Sequence, residues 1–323
     1  MAPNLIAVDL GGTQIRAAVC DADGQIYKRV ARLTHAPEGP AAVLARINET
    51  IAEAVEDVNL DAVAGIGIGA PGPLDPTSGT ILAAPNLPGW VNVPLRNLVS
   101  AHFGKPTFLG NDANVAGLAE MTYGAARGVR DLIYLTISTG IGSGIVVDGR
   151  MLLGARGLAA EAGHTIIKPD GPKCGCGNRG CIETFAAGPA ISRDVVGRLK
   201  AGKASKITRL VGGDLDKVDA RVVSEAAAAG DKLAVNAFRR AGKYLGLGIV
   251  NLLHLFNPRM IVLGGSVTKA GPLLFDPMWE AIRARAMPAY LEGLSIVPAA
   301  LGDDVGLLGA LALAVTELKI ERT

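Results

Sequence analysis

Nowhere in the 323 residues does an apolar run continue for long. Apolar residues make up 49% of the chain, yet glycine, proline or charge interrupts them well short of the ~20 residues a bilayer helix needs, so no membrane partner is expected. Charge of one sign is missing too. The 32 basic and 30 acidic residues leave a formal charge of +2 and form no long block, which removes the electrostatic footprint of a nucleic-acid binder. A small-molecule partner is the expectation that remains. The opening MAPNLIAVDL has no basic n-region and no small-residue cleavage site and runs straight into a strand pattern, so we expect a cytoplasmic chain. Cysteine is scarce and uneven: Cys20 stands alone, while Cys174, Cys176 and Cys181 cluster, a spacing that suits a metal better than a disulfide framework. Of the four histidines, His35, His102 and His254 have no partners at metal or triad spacing.

The length exceeds one ordinary domain, which favours two lobes or one large one. The chain starts as strand, glycine turn, strand (LIAVDL, Gly11-Gly12, IRAAVC), with a second turn at Asp23-Gly24. Helical spacing follows over 40–57, an extended pattern from Val63, a Pro/Gly-rich segment up to Trp90 that reads mostly as loop, a helix over 94–103 and the short strand PTFLG. Near residue 131 the opening theme returns as DLIYLTIS, TGIGSG and IVVDGRML, a weak internal duplication. Two lobes that each begin with such a hairpin would face each other across a cleft, and backbone N–H groups in the turns would suit phosphate oxygens. Helical patterns over 231–256, 272–286 and from Val305, with strands RMIVLGGS and LSIVPA between them, complete an alternating α/β pattern.

Four constellations carry chemistry. In Asp9-Leu10-Gly11-Gly12-Thr13, adjacent glycines allow a phosphate to approach the backbone, and Asp9 offers a hard oxygen to magnesium; a tight hairpin with an incidental Asp gives the same pattern. Neither GxxxxGKS, GxxxxGKT nor a correctly placed GxGxxG surrounds it, so P-loop and Rossmann binding have no support. Asn111-Asp112 reads first as a helix cap, but an Asp at the carboxyl end of a strand in an open α/β sheet faces the crevice where ligands collect and could accept a hydroxyl proton. Glu161-Ala162-Gly163-His164 with Cys174, Cys176 and Cys181 forms a Cys3His set, the closed ligand group of a structural zinc. Glu161 and Glu183 flank it, as acceptors for sugar hydroxyls or as ordinary solvated carboxylates. Gly264-Gly265-Ser266 ends a strand, and Gly242, Gly246 and Gly248 on the preceding helical pattern permit close approach of a flat ligand or of packed backbone.

Together these motifs resemble the ROK family of sugar kinases, over essentially the whole chain and in the family's order: DLGGT at 9–13, the PG loop at 71–72, ND at 111–112, STGIGSG at 138–144, EAGH at 161–164, CGCGNRGCIE at 174–183 and LGGS at 263–266. The resemblance implies an actin-like, hexokinase-type (ribonuclease H-like) α/β fold of two lobes with a cleft between them. We expect a smaller lobe from 1–115 plus 303–323, a larger one with the zinc loop from 116–302, and a homodimer or homotetramer. It implies Mg2+-ATP as phosphoryl donor, structural Zn2+, Asp112 as base, Asn111 as a sugar ligand, and Glu161, His164 and Glu183 on the remaining sugar hydroxyls, with His164 shared with zinc. Gly11, Gly12, Thr13, Thr139 and Gly140 match the phosphate loops, Gly264 and Gly265 the adenosine side, and Asp9 the magnesium neighbourhood. Asn86, in PNLPGW, resembles a glucokinase residue that contacts sugar and turns the expectation toward glucose; fructose, mannose, N-acetylmannosamine and N-acetylglucosamine remain alternatives, as does polyphosphate for ATP. The family also contains sugar-responsive repressors with a winged helix-turn-helix before DxGGT. Only eight residues precede Asp9, so that reading is disfavoured.

Overall fold

The computed structural model describes residues 4–322. Strand β1 (Asn4–Leu10) is buried on both faces: Ile6, Val8 and Leu10 enter one apolar cluster, Leu5 and Ala7 another, as the two-residue period requires. It pairs antiparallel with β2 (Gln14–Cys20), which pairs antiparallel with β3 (Ile26–Leu33), and parallel with β4 (Val63–Ala70). After β4 the Pro/Gly-rich segment is less irregular than its composition suggests. It holds β5 (Leu74–Asp75), β6 (Thr80–Ala83) and β7 (Val91–Val93) in a small antiparallel sheet, strands too short for a sequence pattern to reveal. Strand β8 (Thr107–Asn111) then adds parallel to β4, giving the order β3-β2-β1-β4-β8. A second five-stranded sheet uses β9 (Leu132–Ile137), β10 (Ile141–Val147), β11 (Arg150–Met151), β12 (Met260–Gly264) and β13 (Ser295–Pro298), in the order β11-β10-β9-β12-β13.

The chain divides into two compact units: Met1–Tyr134, Gly144–Ala160 and Ala299–Thr323 form one, Leu135–Ser143 and Glu161–Pro298 the other. In the first, helix α1 (Pro40–Ala54) lays Val43, Ile47 and Ile51 on one sheet face, the four-residue spacing read from the sequence, beside α2 (Leu95–Phe103) and the buried Trp90. Helix α3 (Asp112–Thr122) follows β8 without a loop. The opposite face is covered by α10 (Val305–Leu318) through Leu307, Leu311 and Val315. Glycines 65, 67 and 69 alternate along β4, and a Cβ on Gly67 would stand 1.8 Å from the Ala310 carbonyl oxygen, so this helix can lie there only over glycine.

The second unit is mainly helical: α4 (Glu183–Ala186), α5 (Gly188–Lys200), α6 (Ile207–Leu210), α7 (Ala220–Ala228), α8 (Lys232–Phe256) and α9 (Pro272–Arg285). Asp231 caps α8, its Oδ1 accepting from Leu233 N (2.9 Å) and Ala234 N (3.0 Å). Gly242 and Gly246 of α8 receive the α9 backbone, with carbonyl oxygens of Leu274 and Met278 at 2.3 and 2.4 Å from the positions of added Cβ atoms; their glycine therefore serves helix packing. Cys20 is fully buried in β2, and burial pushes its thiol up to about 12, which fits the inert core cysteine expected of it. Among the described residues no helix is long and apolar enough to cross a membrane.

Candidate active site

Three parallel strands of the first unit bring their carboxyl ends together. Asp9 is level with Gly69, and Gly69 with Gly110; one step on, Ala70 is level with Asn111. The glycine turn after β1, the Pro71-Gly72 loop after β4 and Asn111-Asp112 after β8 thus share one sheet edge, the position at which open α/β sheets bind ligands. The turn is pinned from two sides: Gly11 N donates to Gln14 O (2.9 Å), while Thr34 donates its Oγ1 to Gly11 O (2.6 Å) and its N–H to Thr13 O (2.8 Å). Asn86, exposed, lies against this turn, its carbonyl oxygen 2.9 Å from where a Gly12 Cβ would be. Asn111 is the N-cap of α3, its Oδ1 accepting from Ala113 N (3.0 Å) and Asn114 N (3.3 Å). Asp112 is the first helical residue; its Oδ1 accepts from Ala113 N at 2.7 Å and its side chain is exposed. Both side chains accept from Ala113 N, and Asp112, the more exposed of the two, stands at the sheet edge.

Asp9 has a partner the motif reading passed over. Arg16 donates to its Oδ2 through Nε (2.9 Å) and Nη2 (2.5 Å), and through Nη1 to the Asp303 carbonyl (2.6 Å). Gly306, in the first turn of α10, packs over the same carboxylate, so Asp9 sits between a guanidinium and a helix N-terminus, both of which favour an anion. The signal was present in QIRAAVC, a strand whose one charged residue lies directly across from Asp9 in the β1–β2 register. A cavity of about 960 Å3 in this unit runs beside β8 past Leu118 and Leu313; it touches Asn111 but neither the glycine turn nor Asp112, so size alone does not mark the reacting position.

In the second unit, Ser138-Thr139-Gly140 and Gly264-Gly265-Ser266 are brought together. Ser138 and Ser266 hydroxyls are 3.1 Å apart, and Gly265, at φ 90°, passes so close to Ile137 that a Cβ would meet its carbonyl oxygen at 2.3 Å. A cavity of about 710 Å3 opens here, lined by Ser138, Thr139, Ser192, Asp219, Ser266 and Lys269 among others, ample for a nucleoside.

His164, Cys174, Cys176 and Cys181 converge so that one ligand atom from each lies within 4.8 Å of every other. Cys174 Sγ is 3.6 Å from His164 Nδ1, and Cys176 Sγ is 3.7 Å from Cys181 Sγ. Tetrahedral zinc with Zn–S of about 2.3 Å and Zn–N of about 2.0 Å has S···S and S···N edges of roughly 3.8 and 3.5 Å, close to these two separations, and the Cys3His donor set suits that ion. Gly180, at φ 73°, makes the return turn: a Cβ there would strike the Lys168 carbonyl. Without a cation, burial pushes the Cys181 thiol up to about 12. Glu161 is exposed just before the His164 turn, and half-buried Glu183 accepts from Ile141 N at 2.9 Å.

The sequence profile of the ROK family matches residues 5–317. The chain belongs to the ROK family. Among ROK relatives, the glucokinase of Thermotoga maritima is 38% identical over 309 residues, covering 96% of this chain and 96% of that protein. A ROK family glucokinase from Streptomyces griseus, solved in complex with glucose and AMPPNP, has a TM-score of 0.82 at 35% identity, over 97% of this chain and 99% of the other. A ROK family transcriptional regulator, homologous to the E. coli MLC protein, has a TM-score of 0.87 at 30% identity, over 98% of this chain and 78% of the regulator. The mixed α/β fold is thus common to ROK kinases and ROK regulators, and function must be argued from the site.

Proposed function

We propose that this chain is an ATP-dependent hexose kinase, with glucose the favoured acceptor and glucose 6-phosphate the product. The observation that carries the reading is the placement of Asp112: an exposed carboxylate, one oxygen of which accepts from Ala113 N, at the carboxyl edge of three parallel strands that also carries the Gly11-Gly12 turn. Similarity to glucokinases over nearly the whole chain supports it. In this mechanism Asp112 accepts the proton of the attacking hydroxyl, O6 in glucose, while Asn111 and Asn86 hold the sugar from the same edge. Glu161 and Glu183 accept from the other hydroxyls, and His164 donates to one of them. His164 turns Nδ1 to the cage, which leaves Nε2 for a hydroxyl. Backbone N–H groups of Gly12 and Thr13 and of Thr139-Gly140 receive phosphate oxygens, Gly11 shaping the turn through its own bond to Gln14 O, and Gly264-Gly265 border the adenosine. Magnesium, when bound, neutralises phosphate charge; Asp9, held by Arg16, offers an acceptor to its water shell. The cage would hold structural zinc through His164, Cys174, Cys176 and Cys181; four protein ligands leave no open position, so its contribution is positional.

The test is ADP release from magnesium-ATP over a panel of hexoses and N-acetylhexosamines, with Asp112→Asn alongside. Glucose-selective turnover, reduced about 10²–10⁴-fold in the variant, is expected from the size of general base catalysis. Selectivity for another sugar would remove the role given to Asn86. Silence on every sugar by metal-loaded protein would point instead to a regulatory role, the class to which the ROK transcriptional regulator belongs.

A further inference from the structure

The carboxylate of Glu183 touches two sites at once. Oε2 accepts from the Ile141 N–H at 2.9 Å, and Oε1 lies 3.7 Å from Cys174 Sγ, a contact made through the thiol S–H; once a metal takes Cys174 as thiolate, the link to the cage runs through the short chain from Cys181. The contact with the turn is close: a Cβ on Gly140 would stand 2.6 Å from Oε2. The chain on the cage side has little room to swing. Glu183 is two residues beyond Cys181, and the intervening Ile182 is buried against α8, where a Cβ on Gly248 would meet its Cδ1 at 2.2 Å. The turn is held at its other end by Gly188 N, which donates to Ser138 O at 2.8 Å, so the Glu183 contact supplies the second fixed point.

We propose that Glu183 is a positioning residue that transmits the conformation of the His164–Cys181 cage to the Ser138–Ile141 turn, so that a filled cage sets the turn's backbone for phosphate oxygens. A carboxylate accepting a backbone N–H makes one of the stronger and more directional links available, and groups just outside a metal's ligands commonly carry its influence outward. The proposal rests on the kinase reading only for what binds at the turn; the link between cage and turn stands apart from it.

The experiment compares wild-type protein of measured metal content, the same protein after chelation, Glu183→Ala and Glu183→Gln. Two quantities are read without sugar: hydrogen exchange of the Ile141 amide, and Kd for a non-hydrolysable ATP analogue with magnesium. Glu183→Ala with its metal retained is expected to exchange Ile141 faster and bind the analogue about tenfold more weakly, the factor for losing one hydrogen bond of ordinary net strength. Gln keeps an oxygen for Ile141 and is expected to restore both; chelated wild type is expected to behave as the Ala variant. Unchanged exchange and Kd in Glu183→Ala, or in chelated wild type, overturns the proposal, and the latter protein decides the matter if the Ala variant does not fold. Wild type that binds no analogue yet loses Ile141 protection on chelation sinks the kinase reading and leaves the link standing.

Discussion

Replacing Gly67 by alanine adds one methyl group in the middle of β4, facing α10. That methyl would lie 1.8 Å from the Ala310 carbonyl oxygen, 2.7 Å from its carbon and 3.2 Å from Ala314 Cβ. Non-bonded carbon and oxygen need roughly 3.2 Å, so helix or strand must yield by more than about 1 Å. The obstacle is helix backbone, which has no rotamer to change. We therefore expect the upper part of the overpacking range, a loss of about 3 kcal/mol. Gly197→Ala is the internal control. Gly197 lies inside α5 with nothing within 4 Å of the added Cβ, so the same chemical change is expected to stabilise by about 0.5–1 kcal/mol through helix propensity alone. The chain has two tryptophans, and they fall one to each unit: Trp90 in the first and Trp279 in the second. Urea unfolding followed by fluorescence in Trp279→Phe and Trp90→Phe backgrounds reports each unit separately. A Gly67→Ala midpoint within about 0.5 kcal/mol of its parent, or the same sign for both alanine variants, would refute the argument that β4 is glycine-rich for the sake of α10.

Arg16→Met leaves Asp9 without its guanidinium partner in a half-buried position; we expect KM for magnesium-ATP to rise about tenfold, and steady-state kinetics at saturating sugar checks it. Asp231→Ala removes the α8 cap together with acceptors for Lys206 N and Ser205 Oγ, and is expected to cost about 2 kcal/mol by chemical denaturation. Burial would raise the Asp231 pKa, but hydrogen bonds from Ala234, Lys206, Ser205 and Leu233 outweigh it and hold the pKa below its ordinary value. Its contribution is therefore present above the unfolded carboxylate pKa of about 3.9 and lost as pH falls through the lower folded value, so the wild-type advantage over Asp231→Ala should shrink only in that acid window. Cys181→Ser should lower bound zinc, measured by atomic absorption, well below one ion per chain and reduce the melting temperature, with wild type under chelator showing the same shift.

Much of this was legible from residue order because the signals are local. The Cys3His cage needed only the spacing of four ligands and the glycines between them, and Asn111-Asp112 announced both a strand end and a cap. The helices α1, α8, α9 and α10 begin at or within a residue of where periodicity and capping placed them. What was hidden depends on partners distant in the chain. Arg16 reads as one charge in an apolar strand until the antiparallel register sets it across from Asp9. Thr34 carries no signal in the sequence, and only the path of β3 brings it to the Gly11 turn. Gly242 and Gly246 left a flat ligand and packed backbone equally open, because the α9 carbonyls they accommodate come some thirty residues later. The strands β5 to β7 escaped notice because proline and glycine surround segments of two to four residues.

The seating of α10 on β4 also sets an order in time. Ribosomes deliver Gly65, Gly67 and Gly69 early, whereas the helix that covers them begins at Val305. At about 5–20 residues per second, a nascent chain waits roughly 10–50 s between the two events. During that interval Leu5, Ala7, Ala18 and Cys20 do not have α10 over them, and Asp9 has Arg16 but not the first turn of that helix. The second unit, by contrast, is complete in sequence by Pro298, so it can finish folding before the unit that was started first.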